Sequence, residues 1–121
     1  MSLCILAAGK TTVLAVASFT LAWTHSGERT RWIETWTVTE TGLKPVEARV
    51  KGSGAGMEPP DGARLEKGWW VFRPSVPFQS RLALAASGAT GAGWEICGGG
   101  TCLSVGAVAA DRPVMLSACA R

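Results

Sequence analysis

From Phe19 to Thr39 the chain alternates, residue by residue, between side chains suited to burial and side chains that tolerate water. Phe19, Leu21, Trp23 and His25 fall on one side, against Thr20, Ala22, Thr24 and Ser26. Trp32, Glu34, Trp36 and Val38 then face one way, and Arg31, Ile33, Thr35 and Thr37 the other. Period-two spacing belongs to strands, because successive side chains on an extended backbone point to opposite faces. Between the two runs lies Ser26-Gly27-Glu28-Arg29, whose glycine at the first central position is the preference of a two-residue type II′ hairpin turn. Pairing outward from that turn sets Trp23 opposite Trp32 and Phe19 opposite Trp36, so the aromatic side is expected to be the core side.

The rest of the chain reads the same way. Strands are expected at Met1–Ala8, Thr11–Ser26, Thr30–Thr39, Leu43–Lys51, Gly68–Arg73, Arg81–Ala86, Gly93–Cys97, Cys102–Val105 and Val114–Ala118, with Gly9-Lys10 as the first turn. Turn-rich segments at 52–62, 74–77 and 87–93 separate them, and Gly106–Arg112 has room for one helical turn at most. This predicts an all-β chain, a small antiparallel β-sandwich or partly open barrel of about eight strands. A single domain over residues 1–121 is expected, with no internal repeat.

Composition removes several alternatives. With 47% hydrophobic and 17% charged residues the chain lies outside the disordered class. The net charge of +3 comes from basic residues scattered singly, without the stripe that a phosphate backbone requires, so no nucleic-acid partner is expected. No stretch approaches the roughly 20 apolar residues of a membrane span, so an integral membrane protein is not expected either. Lys10 interrupts the one segment that resembles an export signal; the chain is read as carrying none, which gives a cytoplasmic reading.

Four constellations invite chemistry. Cys97 and Cys102 flank Gly98-Gly99-Gly100-Thr101, read as a four-residue hairpin loop across which a disulfide can form. Cys4 and Cys119 fall in the first and last strands, which pair if these are neighbours. Disulfides are the leading reading, free structural thiols the next, and a metal site the last, since the spacing is loose and there is one histidine. No cofactor and no metal is expected.

His25-Ser26-Gly27-Glu28 holds an imidazole, a hydroxyl and a carboxylate. His25 and Ser26 point to opposite faces, which argues against a nucleophile–base pair, so no catalytic residue is named and an enzyme is the lesser expectation. Glu34 places a carboxylate between Trp32 and Trp36 on the core face, where it needs a partner, for which Arg49 or Arg73 is proposed. Trp69-Trp70 puts one indole on each sheet face, one of them an exposed contact residue. Lys51–Pro60 looks like a phosphate-cradling loop, but Pro59-Pro60 blocks the helix such a loop needs, and a surface loop is expected. His25, Ser26, Glu28, Glu34, Trp69 and Trp70 are therefore the candidate interaction or ligand-binding residues.

The stretch Phe19–Ser26, then Glu28, then Trp32-x-Glu34-x-Trp36, together with Gly54-Ala55-Gly56-Met57, resembles a bacterial family known as domain of unknown function 1850. That family shows an aromatic-Thr-His-Ser-Val-Glu-Lys stretch, a glutamate in the following strand and a Gly-Ala-Gly segment. Its valine and lysine correspond here to Gly27 and Arg29. The resemblance implies no known activity, but it implies a partner: members are often encoded beside fused membrane subunits of TRAP-type solute transporters. Many also carry an export segment, which implies a periplasmic location. Three functions follow, in order: an accessory or interaction module of such a transporter, a domain binding a small organic anion near His25 and the arginines, and a hydrolase using Ser26 and His25.

Overall fold

Two-residue turns with glycine in second place set the register of three hairpins. Ala8-Gly9, Lys67-Gly68 and Gly99-Gly100 each hold positive φ at both positions (52° and 77°, 52° and 85°, 57° and 82°). That is the type I′ geometry, whose twist matches the strands it joins, and a glycine takes it without strain. In a computed structural model that describes residues 1–24, 30–51, 61–86, 93–107 and 112–120, these turns join six of eleven described strands. The strands are β1 (Ser2–Ala7), β2 (Lys10–Leu14), β3 (Ser18–Thr24), β4 (Arg31–Thr39), β5 (Gly42–Lys51), β6 (Arg64–Glu66), β7 (Trp69–Phe72), β8 (Arg81–Leu84), β9 (Trp94–Gly98), β10 (Thr101–Val105) and β11 (Val114–Cys119).

They form two antiparallel sheets, one of four strands in the order β2-β1-β11-β8, the other of seven in the order β10-β9-β3-β4-β5-β7-β6. The sheets pack as a sandwich and do not close into a barrel. Leu3, Ile5, Val114, Leu116 and Leu84 from the small sheet meet Phe19, Leu21, Trp36, Val38, Leu43 and Ile96 from the large one. Each such side chain contributes roughly 1.5–3 kcal/mol on full burial. The β3–β4 register sets Phe19 opposite Trp36, Leu21 opposite Glu34 and Trp23 opposite Trp32, as the alternation predicts.

Three expectations need correction. Thr11–Ser26 is not one strand: β2 belongs to the small sheet and β3 to the large one. The chain crosses between sheets at Ala15–Ala17, held by hydrogen bonds from Val16 N to Leu14 O at 2.9 Å and from Val38 N to Ala17 O at 2.8 Å. Strand β6 was not expected; its three residues pair with β7 across Lys67-Gly68. The Cys97–Cys102 loop is two residues long, not four, because Gly98 and Thr101 already pair. Pro45 sits inside β5 where the register shifts between Thr35 and Trp36, a place where a missing N–H breaks no ladder bond.

Both cysteine pairs stand at disulfide distance on the outer faces of their sheets, so neither takes up core volume. Cys97 and Cys102 are directly opposite, with Cα atoms 4.1 Å apart. Cys4 and Cys119 lie on the two central strands of the small sheet, with Cα atoms 5.9 Å apart. Chain entropy predicts unequal contributions, because the loops they close differ so much in length: the sequence separations are 115 and 5 residues. Replacing Cys4 and Cys119 together by alanine is expected to lower unfolding stability by up to about 5 kcal/mol, and replacing Cys97 and Cys102 by up to about 2 kcal/mol. Urea denaturation of the two double variants measures the ratio; equal losses would overturn the loop-length account. In the core, Leu116→Ala and Ile96→Ala should each cost about 2–5 kcal/mol in the same assay, while Thr35→Ala on the outer face should change little.

Candidate functional site

The inner face of the large sheet is wider than the small sheet that covers it. Phe19, Leu21, Trp36 and Ile96 lie in the shared core, and Trp23 and Trp94 pack at its margin. Beyond that margin the same face continues through Trp32 on β4, Phe72 and Trp70 on β7 and Leu65 on β6. The aromatic residues of this extension are half-buried and Leu65 is 60% exposed. Small and β-branched residues between them, Ala48 and Val50, are fully buried; Val50 stands opposite both Trp32 and Trp70.

Ring contacts knit the face together. Trp23 and Trp32 stack with centroids 5.8 Å apart and planes 8° from parallel. Trp94 tilts against Trp23 at 5.1 Å, and Phe72 meets Trp32 edge-on at 6.5 Å. Such pairs add roughly 0.5–1.5 kcal/mol each beyond area burial. Trp94 also donates from Nε1 to the Ala85 carbonyl at 2.9 Å, tying the segment after β8 to the large sheet.

Glu34 sits at the boundary between the covered and uncovered parts. Its neighbours along the strand are Trp32 and Trp36, and across the sheet Leu21 and Ala48. The expected arginine partner is not there: Arg49 pairs with Glu47 at 3.1 Å, and Arg73 lies elsewhere, in a groove with Lys44. Glu34 Oε1 accepts a hydrogen bond from Trp36 Nε1 at 3.1 Å. Trp36 is 2% exposed, so its indole N–H cannot reach water and needs an acceptor. Burial raises the Glu34 carboxyl above its ordinary value of 4.5, opposed by that hydrogen bond.

The opposite face of the sheet carries the charge. Arg31–Glu95 (3.1 Å), Arg49–Glu47 (3.1 Å) and Arg64–Glu66 (2.8 Å) are all partly exposed ion pairs there. Val71, opposite both Arg49 and Arg64, is buried among them. Trp69 belongs to this outer face, with Lys51 Nζ 5.1 Å from its ring centroid, whereas Trp70 belongs to the inner one. Both indoles are half-buried. His25, Ser26 and Glu28 lie outside the described residues, as does Gly54-Ala55-Gly56.

A separate groove of about 320 Å³ opens beside β5 and the segment after β7, and Lys44, Arg73, Val46, Val76 and Phe78 are among the residues that line it. Among the described residues no cluster of three or more His, Cys, Asp or Glu is arranged to hold a metal ion. No described helix is long and apolar enough to cross a membrane.

Residues 19–105 match a family described as Domain of unknown function (DUF1850). The chain belongs to that family. The matched segment contains every strand of the large sheet and β8 of the small one, and so the whole aromatic face. No curated protein and no solved structure matches the chain.

The Trp36–Glu34 contact generates two predictions. Glu34→Leu should cost about 1–3 kcal/mol by leaving a buried N–H without an acceptor, whereas Glu34→Gln keeps an acceptor and should fold normally. The pH dependence has a defined sign. A carboxyl whose folded-state pKa is raised contributes stability below its unfolded value near 4.5, and that contribution is lost as pH rises through the folded value. Melting temperature should therefore favour Glu34→Gln over wild type more at pH 7 than at pH 4; a gap that stays constant or narrows would refute the burial account.

Proposed function

We propose that this domain is an interaction module that docks a protein partner on the aromatic face of its large sheet, which the described strands of the small sheet leave open. The observation that carries this reading is that Trp32, Trp70, Phe72 and Leu65 stay half-buried or exposed on a core-side face while the small sheet covers the rest. Contiguous apolar surface of this kind marks contact sites, and tryptophan is the residue most often at their energetic centre. The partner we propose is the membrane subunit of a TRAP-type solute transporter, on the strength of the family resemblance. Two cysteine pairs at disulfide distance favour an oxidising compartment such as the periplasm, which agrees with that partner.

A second reading rests on a different place. The groove is lined by two cations, Lys44 and Arg73, together with apolar side chains, and suits a small organic anion. It offers the anion-binding alternative an anchor among the described residues, where Arg31, Arg49 and Arg64 are already paired with carboxylates. A thermal-shift screen of carboxylates tests it: stabilisation lost in Arg73→Ala supports the groove, and no stabilisation removes it.

For the leading reading, the domain should co-purify in mild detergent with the transporter membrane subunit at native expression. Leu65→Asp, an exposed change on the face, should abolish retention without lowering the melting temperature appreciably. Absence of association for the wild-type protein would count against the transporter, and an unaffected Leu65→Asp would count against the face.

A further inference from the structure

The aromatic face is broad, nearly uncharged and built around one carboxylate. It runs from Trp23 on β3 through β4, β5 and β7 to Leu65 on β6, five strands wide. Strands about 4.8 Å apart give a width of about 19 Å, the reach of roughly six residues of extended chain and more than a small molecule covers. Within it Glu34 makes one hydrogen bond, from Trp36, and no lysine or arginine among the described residues pairs with it. The three described ion pairs lie on the other face, and Lys51 is engaged over Trp69 there too.

Resting on the interaction-module reading, we infer that the partner segment presents a lysine or arginine side chain to the Glu34 carboxylate, flanked by apolar side chains that cover Trp32, Phe72 and Trp70. Three considerations select that chemistry. An apolar segment alone would bury the carboxylate still deeper without compensation, at several kcal/mol if it stayed ionised. An acidic segment would add repulsion in the same place. A cationic side chain supplies the missing opposite charge.

The carboxyl in the unbound domain is already pushed toward its neutral form by burial. A cation arriving at Glu34 restores the charged form, so recognition and ionisation are coupled.

Two peptides serve as probes, acetyl-Leu-Lys-Leu-amide and its neutral counterpart acetyl-Leu-Gln-Leu-amide, titrated into the ¹⁵N-labelled domain while the six tryptophan indole N–H signals are followed. The lysine peptide should shift the Trp36 and Trp32 signals saturably and bind at least ten-fold more tightly than the glutamine peptide. Glu34→Gln should erase that ten-fold preference, about 1.4 kcal/mol, with both peptides then binding alike. Trp69→Ala, on the outer face, should leave the preference unchanged. If both peptides bind wild type equally, or Glu34→Gln keeps the preference, the cation assignment is overturned while the docking face stands. If neither peptide moves an indole signal of the face at millimolar concentration, both readings fall.

Discussion

Phe19 and Trp36 meet across the centre of the large sheet, each 2% exposed, and the small sheet exists to cover them. An antiparallel sheet with one apolar face needs something laid over that face, and a second sheet is the cheapest solution for a chain of strands this short. Leu3, Ile5 and Leu116 supply the cover from strands that come from the two ends of the described chain. The position of every other element follows: β9 and β10 extend the large sheet on one side, β5, β7 and β6 on the other. Among the described residues, the core that the small sheet covers stops at β5 on that side. What is left over is the aromatic face.

Glu34 shows how a polar residue comes to lie on such a face. A tryptophan fills more core volume than any other side chain, but its N–H must be satisfied wherever it is buried. Placing the acceptor two residues away on the same strand keeps it on the same face at hydrogen-bonding distance, whatever the rest of the fold does. The cost is a carboxyl group held in apolar surroundings. That cost is tolerable because Glu34 lies at the margin of the core rather than within it.

Much of this architecture can be read directly from the residues. The alternation between Phe19 and Thr39 yields the hairpin register, and Cys4 with Cys119 points to neighbouring first and last strands. The break after Leu14 is weakly marked in the residues, because Ala15-Val16-Ala17-Ser18 contains no glycine or proline. The structure shows the change of phase: Thr12, Leu14 and Val16 are half-buried at even positions but Phe19 and Leu21 are buried at odd ones, which one straight strand cannot do. Strand β6 is hard to read because Arg64-Leu65-Glu66 is short and mostly charged, although Lys67-Gly68 is a serviceable type I′ turn. At the site, a carboxylate on a core face points as readily to an ion pair as to an indole N–H two residues on, and the structure has the second. The extent of the uncovered face was not legible at all, since it depends on how many strands the small sheet contributes.

The pairing of β1 with β11 has a mechanical consequence. These strands lie side by side at the centre of the small sheet, and the Cys4–Cys119 link spans them. Tension applied between residues before Cys4 and residues after Cys119 is borne by the sulfur bridge, and the sheets between them feel almost none of it. With the bridge reduced, the same tension would load the β1–β11 ladder directly and unzip it from one end. A domain wired in this way is insulated against pulling from outside for as long as its surroundings remain oxidising.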